Sequence, residues 1–255
     1  RVLAYLAVIT VDIARPEKSD DEKSGELSEE KGDKTGEKQM NTPSVLYRRN
    51  RFIMGTTLEI SLYAGSPATA DKAFEVAFSE VDRLDKLLSV FREKSAVSRI
   101  NRNPGQWIEV DSELIRLIDA SMSAGRITKG GFDITAGPLV AVWHEAAEDD
   151  TLPAQSEIMK TLKLTGPDVV NIDRKRGRVK LEKRGAGLDF GGIGKGYALD
   201  RAADALKAEG VRSALINFGG NILALDPPSE KNGWPVFIRD PENTESTLDR
   251  IVLKN

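Results

Sequence analysis

Leu188-Asp189-Phe190-Gly191-Gly192-Ile193-Gly194-Lys195-Gly196-Tyr197-Ala198-Leu199-Asp200 is the stretch on which the reading of this chain turns. Residues 187–190 read as a short strand, and residues 197–209 as a helix with Ala198, Leu199, Ala202, Ala205 and Leu206 on one side and Gly210 as its C-cap. Between them, residues 191–196 hold four glycines in six positions. Such a loop lets the backbone come close to a ligand with amide N–H groups aimed outward. The positive end of the following helix and the charge of Lys195 make a diphosphate the natural guest. The loop is not a P-loop, because Gly196 follows Lys195 where Ser or Thr is needed, and it lacks the G-x-G-x-x-G spacing of a dinucleotide fold. Glycine content alone leaves a plain structural turn equally open.

Upstream, residues 47–63 (YRRNRFIMGTTLEISLY) alternate apolar and polar side chains around Gly55, which predicts paired strands with a bend there. Ala70, Ala73, Phe74, Ala77, Phe78, Val81, Leu84 and Leu88 then recur three or four apart, a helix with one core face. Residues 89–105 read as a polar loop able to carry function. Asp111 caps a second helix through about Thr128, with Leu114, Ile115, Leu117, Ile118 and Met122 inward. Residues 130–138 (GGFDITAGP) are turn-rich and lead to a short apolar helix ending near Trp143. A small helix is expected over residues 156–164, a hairpin over 169–181 turning at Lys175-Arg176-Gly177, and strands over 214–218, 222–225 and 234–239. Strands and helices mix here without strict βαβ alternation, so the fold class is α+β rather than a doubly wound sheet.

Composition narrows the function classes. The chain has 255 residues, 40% hydrophobic and 30% charged, as in an ordinary globular protein. A net charge of −3 and 6% aromatic residues argue against a nucleic-acid partner. With no cysteine, thiolate metal sites and thiol nucleophiles are excluded, and a single histidine limits imidazole sites as severely. Residues 1–14 are mostly apolar but interrupted by Asp12. They are too short to span a bilayer and read as the remnant of a signal peptide or anchor. Residues 15–44 are a mixed-charge run expected to be a disordered linker, and the folded domain is expected over residues 45–255.

Three further features bear on chemistry. Asp133 and Asp189 are acids beside glycine-rich turns, suited either to Mg²⁺ or to capping backbone amides. Met54-Gly55-Thr56 is a small approachable bend or a strand bulge. His144, after the apolar helix, has no triad or metal partner nearby in sequence and reads as solvent-facing.

Taken together, Met54-Gly55-Thr56, residues 89–101 (SVFREKSAVSRIN), 131–143 (GFDITAGPLVAVW), 188–200 (LDFGGIGKGYALD) and 211–223 (VRSALINFGGNIL) resemble, in this order, the motifs of the ApbE family. The resemblance runs from about Tyr47 to the C-terminus. It implies an ApbE-like, T-fold-related α+β fold of mixed sheets with packed helices. It also implies a flavin transferase, in which FAD is cleaved at its diphosphate with Mg²⁺, FMN is esterified to a Thr or Ser hydroxyl of an acceptor protein, and AMP leaves. By the same resemblance Met54, Phe91, Gly131, Phe132, Asp133, Asp189 and Lys195 bind FAD, and the Gly194 main-chain carbonyl is a metal ligand.

The departures are specific. Phe91 stands where the family often has Tyr, Gly194 where Ala is more usual, and Asn221 where Asp is frequent. Family members continue well past the strand at residues 234–239, through a histidine-containing D-P-x-T-G segment that activates the acceptor hydroxyl and an Asp and a Thr, four apart, that complete the metal shell. The catalytic histidine is therefore expected beyond Asn255, the sequence reads as an incomplete copy of a longer protein, and the alternative function is FAD binding without transfer. The resemblance further implies an acceptor flavoprotein subunit of a membrane redox complex as partner. It implies a periplasmic or other extracytoplasmic location, with a possible tether to the inner membrane. Oligomeric state is not encoded legibly.

Overall fold

Alternating side chains between Val45 and Ala64 fold as a hairpin whose two-residue turn is Met54-Gly55. Both residues take left-handed backbone angles, φ 49° and 76°. That pair of angles matches the right-handed twist of the flanking strands, and glycine supplies the second without strain. The computed structural model describes the backbone of Val11–Ile13 and residues 44–227, 232–243 and 246–254. The apolar start and charged linker expected over residues 1–44 therefore lie outside the described residues, apart from Val11–Ile13 and Ser44.

In chain order the strands are β1 (Val11–Ile13), β2 (Val45–Ile53), β3 (Thr56–Ala64), β4 (Ile108–Glu109), β5 (Val170–Asp173), β6 (Arg178–Leu181), β7 (Ala214–Phe218), β8 (Asn221–Ala224), β9 (Trp234–Arg239) and β10 (Thr247–Leu253). The helices are α1 (Pro67–Leu88), α2 (Ala96–Arg102), α3 (Ser112–Ile127), α4 (Gly137–Glu148), α5 (Gln155–Leu162) and α6 (Gly194–Ala208). The residues divide into two units, and α1 and α6 each contribute to both. Among the described residues no helix is long and apolar enough to cross a membrane.

The first unit comprises Arg1–Arg51, Thr57–Val76 and Ala203–Asn255. Its sheets have the orders β2-β3-β7-β8 and β1-β9-β10. β3 and β7 run antiparallel in the register Leu58↔Phe218 to Leu62↔Ala214. Leu58, Ile60, Leu62 and Ala64 occupy every second position and are buried, as strand periodicity requires. A smaller cluster of Leu215, Trp234 and Val236 is packed by Leu46, Tyr63, Ile222, Ala224 and Leu253.

The second unit comprises Phe52–Thr56 and Ala77–Ala202. Its sheet is β4-β6-β5, antiparallel throughout. The core joins Leu88, Val97, Ile100, Leu114, Ile118, Ile134, Leu181, Leu188 and Phe190, with Met54, Phe132, Ile193 and Tyr197 packed on it. The eight-residue stripe of α1 read from the sequence is buried along its whole length.

Four expectations are corrected. The polar stretch 89–105 contains α2: Ser95 caps it by accepting from the Ser98 N–H, and only Val97 and Ile100 carry its apolar signal. Residues 187–190 join no sheet, because Leu188 pairs through both its N–H and C=O with the Asn101 side chain, while the Asp189 N–H donates to the Ile134 carbonyl. The apolar helix does not stop near Trp143 but runs to Glu148, its last turn burying only Ala146. Finally, α6 starts at Gly194, three residues before the apolar periodicity becomes visible.

Candidate functional site

A cavity of about 960 Å³ opens in the second unit. That is at the upper end of the range for small-molecule sites, roughly 300–1,000 Å³. Four stretches far apart in sequence line it: Phe52–Gly55 at the hairpin turn, the end of α1 with the loop through Arg92, Gly131 to His144, and Asp189 to Lys195.

Each stretch is held by its own polar residues. The loop after α1 is tied down from α2, where the Ser95 hydroxyl donates to the Ser89 carbonyl at 2.6 Å and the Ser98 hydroxyl to the Val90 carbonyl at 3.0 Å. The Phe91 N–H donates to Ser89 Oγ at 3.2 Å, leaving the Phe91 ring in solvent. Asp133 clamps its turn: Oδ1 accepts from the Thr135 N–H at 2.8 Å and hydroxyl at 2.7 Å, and Oδ2 from the Gly166 N–H at 3.0 Å. The glycine loop is set by Asn101, whose side chain meets Leu188 N–H and C=O at 2.8 and 2.9 Å as a neighbouring strand would. Gly137, opening α4, packs so closely that a Cβ there would lie 3.3 Å from Asp189 Cβ.

All seven residues expected to bind the ligand, Met54, Phe91, Gly131, Phe132, Asp133, Asp189 and Lys195, lie on this lining. Gly194 does not. It is buried, and a Cβ built on it would stand 3.6 Å from Met54 Cε and Phe190 Cβ. Three of the amides expected to face outward from the glycine loop are turned back into it. Asp189 Oδ1 accepts the Gly191 N–H at 2.6 Å, and the Ile193 and Gly194 N–H groups return to the Phe190 carbonyl at 3.0 and 2.6 Å. An acid two residues before an amide closes such a turn readily. Close packing accounts for two of the four glycines: a Cβ on Gly191 would meet Asp189 Oδ1 at 3.0 Å and one on Gly192 would meet Phe132 Cε2 at 3.0 Å, whereas Gly194 and Gly196 have room for one.

Sequence reasoning missed several residues on the same lining. Arg92 donates from Nε and Nη2 to Asp85 Oδ2 at 2.7 and 2.5 Å, anchoring a cation at the cavity through a buried carboxylate. Its position in the 89–101 motif was the available signal, but the partner seven residues away on α1 was not legible. Asp82, Phe52 and His144 also line the cavity. His144 is solvent-exposed, as read, yet it sits inside α4 on the cavity wall.

Positive charge and partial charge gather at one end of the cavity, beside the Asp189 carboxylate. Ala136 and Gly137, at the N-terminus of α4, and Gly192 with Lys195, at the N-terminus of α6, border the same space. Neither helix has an acid in its first turn, and the N-cap of α4 is an alanine with no capping side chain. Helix N-termini in this state carry partial positive charge. Lys195 makes one weak bond, 3.3 Å to the Gly191 carbonyl, and no ion pair among the described residues. Metal fit is another matter. Among the described residues no three His, Asp or Glu groups converge as a metal site, and the Asp133 oxygens are already bonded. These side chains by themselves do not make a Mg²⁺ site, and an ion held beside them would take further oxygen ligands from main-chain carbonyls or a bound diphosphate.

Off the lining, Glu113 of α3 accepts the Arg83 fork through Oε2 at 2.7 Å and Oε1 at 2.9 Å, and the Tyr197 hydroxyl at 2.8 Å. The Arg83 hydrogen bonds hold the Glu113 carboxyl below its ordinary range against the opposing effect of burial. Burial, and then the bond to Glu113, push the Tyr197 hydroxyl up to about 12.

Residues 54–255 match the model of the ApbE family. The chain belongs to the ApbE family. Among curated relatives, a protein of Klebsiella pneumoniae (strain 342) named FAD:protein FMN transferase is 31% identical over 197 residues, covering 77% of this chain and 59% of the relative. A protein of the same name from Treponema pallidum (strain Nichols) is 27% identical over 215 residues, covering 78% and 59%. The chain thus spans about 59% of the length of these curated relatives. The crystal structure of the ApbE protein of Thermotoga maritima superposes with a TM-score of 0.74 at 31% identity, covering 82% of this chain and 68% of that one. The apo flavinyl transferase ApbE of Pseudomonas stutzeri gives 0.70 at 26%, covering 83% and 68%. The mixed helices and antiparallel sheets of this ApbE-family chain are those of an α+β fold, as read.

Proposed function

We propose that the cavity of the second unit binds FAD and that the protein transfers the FMN half to a Thr or Ser hydroxyl of an acceptor protein. The observation that carries this reading is convergence. Seven residues drawn from four separate motifs line one cavity of about 960 Å³, with the N-terminus of α4, which no side chain caps, and Lys195 at the start of α6 at one end. That end suits a diphosphate, and the Met54 and Phe132 side chains beside it suit flat apolar rings. The names carried by the relatives support transfer as the activity.

In this reading Lys195 and the helix termini hold the diphosphate and stabilise the negative charge that develops on the departing phosphate, with AMP as leaving group. Arg92, fixed by Asp85, adds a second cation. Mg²⁺ dependence belongs to the proposal too. The lining carries Asp82, Asp85, Asp133 and Asp189 against Arg92 and Lys195, and a diphosphate brings further negative charge that a divalent cation would offset. The acceptor as a subunit of a membrane redox complex, the location outside the cytoplasmic membrane and a membrane tether are parts of the same reading, supported by the motif resemblance and the apolar start.

Two measurements test it. Titrating FAD into the protein should give a saturable change in flavin fluorescence, and no such change would defeat the binding half. Incubation with FAD, Mg²⁺ and a Thr-containing acceptor should leave flavin on the acceptor after denaturation, and EDTA should abolish it. Saturable binding with no covalent flavin would leave a flavin-binding protein without transfer.

A further inference from the structure

Exposed aromatic side chains are few among the described residues. Only Phe52, Phe91 and Trp107 stand out, at 75%, 95% and 38% exposure. Trp107 is covered, with the Arg178 guanidinium 5.0 Å and the Lys180 ammonium 5.2 Å from its ring centre. Phe52 and Phe91 have no such cover, and both lie on the lining of the same cavity.

The exposure of Phe52 is built in by the strand. Ile53 next to it is 5% exposed and points into the core, so the pleat turns Phe52 to the opposite face. The other outward positions along this end of β2 are Arg48 and Asn50, polar as an outward face demands. An aromatic ring at the third such position, one residue before the buried Ile53 and two before the Met54 turn, breaks that pattern at the cavity mouth. Phe91, on the loop after α1, also leaves its ring in solvent on this lining, with its backbone fixed by Ser89. Large apolar side chains left open beside a cavity mark a surface that a ligand covers.

We infer that Phe52 is a further ligand-binding residue, which together with Phe91 stacks on a planar ring of the bound dinucleotide. The inference rests on the reading of the cavity as a dinucleotide site and adds Phe52, a residue outside the five motifs, to it. Either ring system of FAD has the required flat face. The diphosphate end at Lys195 anchors the middle of the molecule, so one ring must lie toward the mouth where these two side chains stand. Aromatic stacking on a heteroaromatic ring is worth roughly 1–3 kcal/mol by alanine substitution, or about 5- to 150-fold in affinity.

The test compares wild type, F52A and, as a surface control off the cavity lining, I127A, whose side chain is 78% exposed. Calorimetric titrations with FAD, FMN and ADP are run on each, with melting curves to confirm folding. F52A should weaken FAD and one of the two half-ligands by about tenfold. Loss with FMN assigns the flavin ring to the pair, and loss with ADP assigns the adenine. I127A should match wild type. Unchanged FAD, FMN and ADP affinities in F52A would overturn the inference while leaving the cavity's ligand intact. Equal losses for both half-ligands would overturn it as well, since they indicate a deformed cavity rather than one lost stack. If wild type binds none of the three, the dinucleotide reading falls and this inference falls with it.

Discussion

Lys195 and Gly194 are neighbours with opposite fates. The lysine sits half-buried on the cavity wall with one weak contact, to the Gly191 carbonyl, while the glycine is buried behind it among Met54, Phe190 and Leu88. K195A should therefore lower FAD affinity by about 10- to 100-fold, the magnitude of a charge-assisted contact, and leave the melting temperature unchanged because no ion pair is lost. Its effect on riboflavin, which lacks phosphate, should be negligible. Equal losses for both ligands in a titration would contradict the phosphate role. At Gly194, a methyl group would meet its neighbours at 3.6–3.7 Å, ordinary contact distance, and the backbone angle is not left-handed. G194A should then be neutral to stabilising by up to about 1 kcal/mol in denaturant unfolding. A clear loss of stability would mean that the start of α6 cannot hold a side chain. The residues of this site were legible as types but not as contacts. Asp133 and Asp189 stood out beside their glycines with two readings open, and their oxygens turn out to hold backbone amides. Arg92 and Phe52 were not legible, because a partner on another element and the face of a strand decide their roles.

The elements that failed to announce themselves are those whose stability comes from elsewhere. α2 offers only Val97 and Ile100 to a periodicity search, because Ser95, Ser98 and Asn101 spend their side chains on the loops that frame the cavity. The segment 187–190 looks like a strand for the complementary reason, since its partner is an asparagine side chain instead of a ladder. Long helices with an unbroken stripe, such as α1, were plain because burial alone shapes them. Asn101 is the testable joint. N101A strands the Leu188 N–H and C=O in a half-buried place and should cost roughly 1–3 kcal/mol in denaturant unfolding, with FAD affinity falling as the glycine loop loosens. N101D, which keeps the acceptor and loses the donor, should fall between. The α1–α3–α6 brace gives a pH signature. Glu113 has its carboxyl lowered in the folded state by Arg83, so its contribution is complete above the ordinary value of 4.5 and fades as pH falls below it. Tyr197 has its hydroxyl raised from 10.0 to about 12, so its contribution is complete below pH 10 and fades between 10 and 12. E113Q should flatten the acid limb of a stability–pH curve and Y197F the alkaline limb. An unchanged acid limb in E113Q would remove Glu113 from the brace.

Over the whole molecule, the division of labour between the two units sets the last expectation. Every residue on the cavity lining belongs to the second unit, whereas the sheets β2-β3-β7-β8 and β1-β9-β10 belong to the first, apart from the residues at the Met54-Gly55 turn. A ligand that binds only the folded state adds stability by mass action, about 2.7 kcal/mol at a hundredfold excess over its dissociation constant. That stabilisation is felt by the parts whose opening destroys the site. FAD should therefore slow amide hydrogen exchange in the loop after α1, in residues 131–140 and in the glycine loop through the first turn of α6. It should slow exchange in α2 as well, because Ser95, Ser98 and Asn101 cannot release their loops while the ligand holds them. Strands β7 to β10 should exchange at the same rate with and without FAD whenever they open without disturbing the cavity. Hydrogen-exchange mass spectrometry at saturating FAD reads all of these segments at once. Protection confined to the second unit is the expected pattern. Protection concentrated in β9 and β10 instead would place the ligand away from the cavity and from Lys195.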